Sequence, residues 1–344
     1  HTHIASTLFV SNTSLYGGGL TIDGGTAVID ATSFFLNTAP LGGGVLLLDM
    51  SDAEITGCQF QSNDSPDGEE RVGGGIGIAD SLNVAITSTL FQDNDASVGG
   101  GLISANSSGT IHDCEFKSNS AVASGGAAYL ETTYFDITDT LFHDNTAGDS
   151  GGAIHAQLEN MLQISRSRFE LNAANSGGAI HSEDGALTVS NSLFDANSGA
   201  GAALHLDGYA LTLDQCTLYD NRPDPDTATL LLVSDPATLT LTSTIFADND
   251  GYAISCDGTA IGWDYNDFYS AVGYDPFSPG CSATGTGNIE EDPDFVAATT
   301  DLDPSDDSLR LILGSPCIDA GDPACSDGDN TRCDMGAYGG PRAL

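Results

Sequence analysis

The sequence predicts an all-β protein, a right-handed parallel β-helix (solenoid) of about eleven coils with an irregular C-terminal cap, from three observations. A phenylalanine, replaced once by leucine, recurs at intervals of 22 to 31 residues. An apolar residue stands five positions before each of these anchors, and an asparagine stands three positions after nearly all of them. Intervals of this length are typical of solenoids, and apolar positions that alternate over short β-branched runs favour strands over helices.

Four columns of equivalent residues define the repeat. The anchors are Phe9, Phe34, Phe60, Phe91, Phe116, Phe142, Phe169, Phe194, Leu218, Phe246 and Phe268. The apolar column is Ile4, Ile29, Ile55, Ile86, Ile111, Ile137, Ile164, Val189, Leu213, Leu241 and Trp263. Two residues before the anchors lie small polar residues or cysteines, Thr7, Thr32, Cys58, Thr89, Cys114, Thr140, Ser167, Ser192, Cys216 and Thr244. The asparagine column is Asn12, Asn37, Asn63, Asn94, Asn119, Asn145, Asn172, Asn197, Asn221 and Asn249.

Each column becomes a ladder if the coils stack. Parallel strands lie about 4.8 Å apart, so we expect a body roughly 50 Å long, with two or three short strands in each coil. Asparagines in register can pass amide hydrogen bonds from coil to coil. Recurring glycine pairs, such as those at 151–152 and 177–178, fit a corner with unusual backbone torsions or close approach.

Two of these features together resemble a known family. Gly-Gly-Ala-Ile at 151–154 and 177–180, combined with Phe-x-x-Asn in nearly every unit, is similar to the repeat of chlamydial polymorphic outer membrane proteins and related bacterial surface β-helices. The resemblance covers residues 4–270 and implies a β-helix at a bacterial surface. It does not extend to a barrel-forming C-terminus. We therefore divide the chain into a repeat domain, 1–270, and a C-terminal segment, 271–344.

The C-terminal segment contains its own recognisable run. "SPCIDAGD" and "DMGAYGG" resemble a segment that closes many secreted bacterial β-helix proteins, and we expect it to cover the last coil. Asp322, Asp327, Asp329 and Asp334 place four carboxylates on short turns, which predicts a Ca²⁺ site. The alternative is a solvated acidic turn in which Arg332 pairs locally.

The net charge argues against a nucleic-acid partner and favours a location outside the cell. The chain has 8 Lys and Arg against 49 Asp and Glu, a formal net charge of −41. Phosphate binding needs basic patches, so no nucleic-acid partner is expected. No apolar run is long enough for a membrane span. So acidic a fold needs screening by salt or divalent cations, which favours a secreted or cell-surface location.

The eight cysteines fall into two groups. Cys58, Cys114 and Cys216 occupy the small-residue column, where Cys58 and Cys114 are two coils apart and beyond disulfide reach, so we expect buried free thiols. In the irregular end we expect bridges Cys325 to Cys333 and Cys256 to Cys281. Cys317 is left buried and free.

One outward position carries the strongest candidate site. Aligning the glycine-led strands places Tyr129, His155, His181 and His205 on consecutive coils. Two residues further on, and pointing the same way, stand Glu131, Gln157, Glu183 and Asp207. Imidazoles flanked by carboxylates predict ligand binding, of a transition metal or of a sugar. The alternative is that a duplicated coil copied its histidine without a role.

Catalysis is the competing hypothesis. Arg166 with Asp139 one coil earlier has the residue types of a polysaccharide lyase base and its calcium ligand, but a cross-coil salt bridge explains the pair better. Neither a nucleophile elbow nor a phosphate loop is present. Longer corners at 64–72 and 222–229 are candidate contact loops.

The sequence thus predicts a non-catalytic, calcium-stabilised protein with a structural or adhesive role at a bacterial surface or in an extracellular filament. The expected partner is a second copy stacked head to tail, or a surface glycan or protein. The alternatives are a lyase or glycoside hydrolase that acts on acidic glycans, and a glycan-binding module.

Overall fold

The computed structural model describes residues 1–66, 72–208, 210–225, 227–232, 238–256, 260–271, 273, 275–279, 281–300, 303–305, 307–340 and 343–344. In chain order the strands are β1 (Thr2–Ala5), β2 (Leu8–Val10), β3 (Leu20–Asp30), β4 (Ser33–Phe35), β5 (Val45–Thr56), β6 (Gln59–Gln61), β7 (Ile76–Ala79), β8 (Val84–Thr87), β9 (Leu90–Gln92), β10 (Asp95–Val98), β11 (Leu102–Ala105), β12 (Ser108–His112), β13 (Glu115–Lys117), β14 (Ser120–Ser124), β15 (Ala128–Glu131), β16 (Tyr134–Thr138), β17 (Leu141–His143), β18 (Thr146–Ala147), β19 (Ile154–Gln157), β20 (Met161–Ser165), β21 (Arg168–Glu170), β22 (Ala173–Ser176), β23 (Ile180–Glu183), β24 (Ala186–Ser190), β25 (Leu193–Asp195), β26 (Ser198–Ala200), β27 (Leu204–Asp207), β28 (Ala210–Asp214), β29 (Thr217–Tyr219), β30 (Ala228–Leu232), β31 (Thr238–Thr242), β32 (Ile245–Ala247), β33 (Tyr252–Ser255), β34 (Ala260–Asp264), β35 (Asp267–Tyr269), β36 (Ser282–Thr284), β37 (Phe295–Ala297) and β38 (Ser308–Leu311).

Parallel pairing between neighbouring coils arranges these strands on four faces. Face 1 contains β7, β11, β15, β19, β23, β27, β30 and β33, and face 2 contains β1, β8, β12, β16, β20, β24, β28, β31, β34 and β36. The long strands β3 and β5 run through both of these faces. Face 3 is the eleven-stranded ladder from β2 to β35, and face 4 contains β10, β14, β18, β22 and β26. The predicted right-handed parallel β-helix is confirmed, with up to four short strands in a coil instead of two or three.

Four sharp corners separate the four strands. In the coil that begins at Gly125, the corner residues Gly125, Thr132, Asp139 and Asp144 have φ between 51° and 70°. Each corner therefore turns on a single left-handed residue, a conformation that costs a residue with a Cβ more than it costs glycine. The repeated inter-coil hydrogen bonds on either side offset that cost.

The predicted apolar ladders form the core. Phe142, Phe169 and Phe194 stack in succession, with ring centroids 4.8 Å apart at both steps. Ile111, Ile137 and Ile164 occupy the predicted register on face 2 and are buried. These columns confirm that residues one repeat apart lie directly over one another.

The asparagine ladder satisfies its own buried amides. Oδ1 of Asn145 accepts from both the backbone N–H and the side-chain Nδ2 of Asn119, each at 3.0 Å. Nδ2 of Asn145 in turn donates to Oδ1 of Asn172 at 3.0 Å and to the carbonyl of Phe116 at 2.9 Å. Each coil is thereby fixed to its neighbours at one corner by bonds that only a carboxamide can make.

Parallel pairing continues beyond residue 270, where the sequence period fails. Ile254 bridges to Phe277, and Asp267 bridges to Ile289. The backbone N–H of Asn266 donates to Oδ1 of Asn288 at 2.9 Å, extending the small-residue column. The solenoid thus includes a further partial turn that lacks the phenylalanine and asparagine markers.

The rest of the C-terminal segment lies along the side of the solenoid. The sequence instead predicts that it covers the last coil. Leu309, Cys317 and Met335 pack against Tyr219 and Ile245 on the outer side of face 3. Strands β37 and β38 pair antiparallel within this segment. The end itself is occupied by Phe277, which contacts Trp263 and Phe268.

The cysteine predictions are confirmed. Cys256 is bonded to Cys281 and Cys325 to Cys333. Cys58, Cys114, Cys216 and Cys317 are free and buried. The two predicted contact loops include residues 67–71 and 226, which lie outside the described residues.

Candidate functional site

The structure brings the three predicted histidines and Tyr129 into one stack on face 1, here called the histidine column. Tyr129 pairs with His155, His155 with His181, and His181 with His205 on adjacent strands. Ring centroids are 5.0, 5.1 and 4.5 Å apart in that order. The rings face away from the core because their strand neighbours, such as Ile154 and Ala156, face into it.

The glycine corner makes room for this column. A Cβ on Gly151 would lie 2.6 Å from the backbone nitrogen of His155, and one on Gly177 would lie 2.8 Å from Cβ of His181. Both glycines also have positive φ. The Gly-Gly motif therefore lets the corner close tightly against the outward side chains.

The column is more buried than an outward position predicts. His155 is 3% exposed and His181 is 7% exposed, while Tyr129 and His205 are half-buried. Each central ring is covered on both faces by its stacked neighbours. A sugar therefore cannot stack on the faces of the central rings. Contact has to occur at the ring edges.

Serine hydroxyls fix the orientation of the rings. Ser150 Oγ hydrogen-bonds Nδ1 of His155 at 2.8 Å, and Ser176 Oγ hydrogen-bonds Nδ1 of His181 at 3.0 Å. Ser176 also contacts Nδ1 of His205. With Nδ1 engaged at the corner, Nε2 is the ring nitrogen left for other partners.

Burial keeps the imidazoles neutral. It lowers the pKa of His155 to about 4. Burial and the neighbouring rings of His205 and His155 lower the pKa of His181 to about 3. Burial also lowers the pKa of His205, against the opposing effect of Asp207. The column therefore carries no charge at neutral pH.

An acidic rim lies beside the column, formed by Glu131, Glu183 and Asp207 with Gln157 between them. Oε1 of Glu183 lies 2.8 Å from Nε2 of His181, and Oε1 of Gln157 lies 3.4 Å from Nε2 of His155. The ligand atoms of His155, His181 and Glu183 lie within 4.8 Å of one another. Burial, followed by the charges of Asp207 and Asp184, raises the pKa of Glu183. The arrangement combines neutral nitrogen donors with a carboxylate.

The four aspartates of the predicted calcium site occupy local turns. Oδ1 of Asp322 accepts from the backbone of Ala324, and Oδ1 of Asp329 accepts from the backbone of Thr331. Oδ1 of Asp334 accepts from the backbone of Asp319 at 2.8 Å.

Asp327 and Asp329 influence each other's protonation. The pKa of Asp327 is raised, first by burial and then by its contact with Asp329. The pKa of Asp329 is lowered, first by hydrogen bonds from Thr331 and then by its contact with Asp327. Arg332 does not close the turn by ion pairing, because it donates to the carbonyls of Ala320 and Gly321 and lies 4.8 Å over the ring of Tyr265.

Arg166 is engaged in a two-point ion pair. Its Nε donates to Oδ1 of Asp139 at 2.7 Å and its terminal nitrogen donates to Oδ2 at 2.6 Å. The bonds from Arg166 hold the pKa of Asp139 below its usual range. The cross-coil salt bridge expected from the sequence is present, and it occupies the guanidinium that the lyase hypothesis needs as a base.

Sequence reasoning missed a group of buried acids on face 3. Glu170 and Asp195 are 5% and 2% exposed, and burial raises the pKa of Asp195 to about 8, with Asp307 and Glu170 adding to the effect. Nearby, Tyr219, Asp220 and other polar residues line a cleft of about 540 Å³ between face 3 and the C-terminal segment. The sequence carried no clear signal for this contact, because the outward position that holds Leu193 and Ile245 is equally apolar at Leu141, where the described part of the C-terminal segment does not pack.

Comparison with known proteins identifies the family. A family model for the right-handed β-helix region matches residues 4–146 and 100–270. No curated protein matches the chain. A solved pectate lyase, Pel9A, is similar with a TM-score of 0.47 and 13% identity over 87% of this chain and 88% of that chain, a likeness that carries no inference about activity.

Among the described residues there is no helix long and apolar enough to cross a bilayer. The finer resemblance to chlamydial surface proteins stays a prediction. Since the family model spans the repeat region and the coils pair in parallel throughout it, the chain belongs to the right-handed parallel β-helix family.

Proposed function

We propose that the protein is a non-catalytic extracellular β-helix with a structural or adhesive role, at a bacterial surface or in an extracellular filament. The observation that carries the proposal is the continuity of the internal ladders. The parallel pairing of face 3 runs from β2 to β35 without a gap. A solenoid bonded in this way at every coil is a stiff rod, roughly 50 Å long at about 4.8 Å per coil.

The histidine column and its acidic rim are the proposed contact surface. The rim carboxylates and the net charge of −41 repel anionic partners and favour ligands with cationic groups or many hydroxyls. A surface protein or a neutral or amino-substituted glycan are the partners that we propose for this surface. A second copy stacked head to tail, the other proposed partner, would contact the ends of the solenoid instead.

An oxidising, cation-rich setting agrees with two further features. Two disulfides close the C-terminal part of the chain. Disulfides persist mainly outside the cytosol. We also propose that Ca²⁺ stabilises the turns that contain Asp327 and Asp329, because hard carboxylate oxygens suit this ion and it would screen the charge.

The enzyme alternative receives less support from the geometry. A lyase base has to be free to take a proton, whereas the guanidinium of Arg166 is held by both carboxylate oxygens of Asp139. The acidic rim also disfavours binding of an acidic polysaccharide along face 1. A lyase or hydrolase active on acidic glycans is therefore the second candidate.

A glycan array, run with three forms of the protein, tests the binding proposal. In the rim variant Glu131→Gln, Glu183→Gln and Asp207→Asn remove three charges beside the column. In the control variant Glu54→Gln, Glu115→Gln and Asp136→Asn remove the same number elsewhere. We expect at least a tenfold loss of binding in the rim variant alone. Equal loss in both variants contradicts a specific contact surface.

Incubation with acidic polysaccharides, with and without Ca²⁺, tests the non-catalytic proposal. We expect no change in chain length. Cleavage that is abolished by Arg166→Gln would replace the proposal with the enzyme alternative.

A further inference from the structure

We infer that His155, His181 and Glu183 form a binding site for a transition-metal dication, with Zn²⁺ as the ion that the donors fit best. The inference deepens the proposed function and rests on it in one respect, namely that the histidine column and its rim are the binding surface. It names the chemistry of what is bound there.

The donor set comes from two adjacent strands. His155 lies on β19, and His181 and Glu183 lie two residues apart on β23, so both point to the same side of face 1. Their ligand atoms lie within 4.8 Å of one another. Tetrahedral Zn²⁺ with bonds of about 2.0 to 2.1 Å places its donors about 3.4 Å apart. The rings of His155 and His181 are stacked with planes 23° apart, so they have to tilt towards each other for both Nε2 lone pairs to point at one ion.

Ser150 and Ser176, at the glycine corner, already hold the two histidine rings by hydrogen bonds, as residues around a metal site commonly do. A metal-bound histidine commonly has its other ring nitrogen hydrogen-bonded, which fixes the tautomer and the ring orientation. Ser150 and Ser176 bond the Nδ1 atoms of His155 and His181 at 2.8 and 3.0 Å. Both Nε2 atoms are thus presented on the side where Glu183 lies.

One of these nitrogens lacks a satisfactory partner. Nε2 of His181 is buried and makes no hydrogen bond of acceptable direction, although Oε1 of Glu183 is only 2.8 Å away. A buried polar atom without a partner destabilises the fold unless something satisfies it. A cation that bonds both the ring nitrogen and the carboxylate oxygen satisfies both groups. Burial also favours the neutral ring, which is the form that binds a metal.

The donor types select among metals. Two imidazoles and one carboxylate suit Zn²⁺, Cu²⁺ or Ni²⁺, whereas Ca²⁺ and Mg²⁺ prefer oxygen-only sites. Three protein ligands leave a fourth position of tetrahedral Zn²⁺ open, as in catalytic zinc sites. The Glu183 side chain is 42% exposed, so the fourth donor would come from water or from a partner on its side of the column.

Calorimetric titration of the metal-free full chain with ZnCl₂ tests the inference. We expect one saturable site, and at least a tenfold weaker Kd in His181→Gln and in Glu183→Gln. The second variant guards against misfolding, because the Glu183 side chain is 42% exposed. The double variant His112→Gln, His143→Gln removes two histidines outside the column and is expected to keep the wild-type affinity. CaCl₂ is expected to give no heat that depends on His181.

The inference is overturned if no saturable zinc binding occurs, or if His181→Gln and Glu183→Gln both bind zinc as the wild type does. A glycan array repeated with a chelator separates it from the proposed function. Partner binding that persists without metal and without a zinc site leaves the proposed function standing. A zinc site without any rim-dependent partner removes the proposed function and keeps the metal site.

Discussion

The rings of Phe142 and Phe169 stack with centroids 4.8 Å apart and planes 4° apart, although 27 residues separate them in the chain. Both side chains are fully buried. One repeat therefore equals one turn, and each phenylalanine supports the coil before it and the coil after it.

Phe142→Ala is expected to destabilise the protein by about 3 to 5 kcal/mol, because it leaves a cavity between two neighbouring rings. Phe9→Ala is the matched control, since Phe9 is half-buried and stacks on Phe34 alone. Urea unfolding of both variants, followed by circular dichroism, measures the difference. Equal losses at the two positions contradict the ladder as the source of stability.

Asn145→Ala is expected to cost about 3 kcal/mol, because it leaves two donors of Asn119 without an acceptor in the interior. Asn175→Ala, at an exposed position of β22, serves as control and is expected to change stability by about 0.5 kcal/mol or less. Thermal unfolding of the two variants gives the comparison. A cost at Asn145 no larger than that at Asn175 contradicts a structural role for the amide ladder.

The docking of the C-terminal segment is expected to depend on pH through the buried carboxyl of Asp195. Burial raises its pKa to about 8, while Glu170, Asp220 and Asp307 add negative charge around it and Arg168 opposes them. The folded protein holds a proton that the unfolded chain releases near pH 4, so this contribution to stability is present in acid and is lost as the pH rises towards 8. At about 1.4 kcal/mol per pH unit, the loss is on the order of a few kcal/mol.

Hydrogen exchange of peptides from 307–340, corrected for intrinsic rates, measures this effect. We expect less protection at pH 8 than at pH 5, and expect Asp195→Asn to restore protection at pH 8 because the amide stays neutral. Protection that is independent of pH in the wild type contradicts the assignment.

Calcium is expected to raise the melting temperature by about 2 to 5 °C at saturating concentration, if the turns with Asp327 and Asp329 bind it. Magnesium at equal concentration controls for general screening of the −41 charge. Asp329→Asn should remove the calcium-specific part of the rise. An equal response to both ions in the wild type argues for screening alone.

The ladders could be predicted from the sequence because strand register follows the hydrophobic pattern. Shifting Ile137 by one residue would turn it out of the core, so its pairing with Ile111 and Ile164 could be predicted. The corners were not predictable in the same way. Thr132 adopts positive φ, a conformation that a β-branched side chain disfavours, so its place between two short strands imposes the conformation.

The position of the candidate site was predictable from the sequence, but its burial was not. Alternation places His155 and His181 outward, but it does not show how closely the glycine corner folds against them or that stacking covers both ring faces. The packing position of the C-terminal segment was not predictable for a related reason. Its contacts with Tyr219 and Ile245 join parts of the chain that share no repeat, so periodicity carries no information about them.

The most direct test of the histidine column is ¹⁵N NMR of the imidazoles as a function of pH, with assignment by single substitution. In the metal-free protein His155 and His181 are buried and stacked on each other, and the metal site uses their neutral form. The lowered pKa values, about 4 and about 3, predict that both rings remain neutral at pH 5. Protonation of either ring near its ordinary value of about 6.5 would contradict the account.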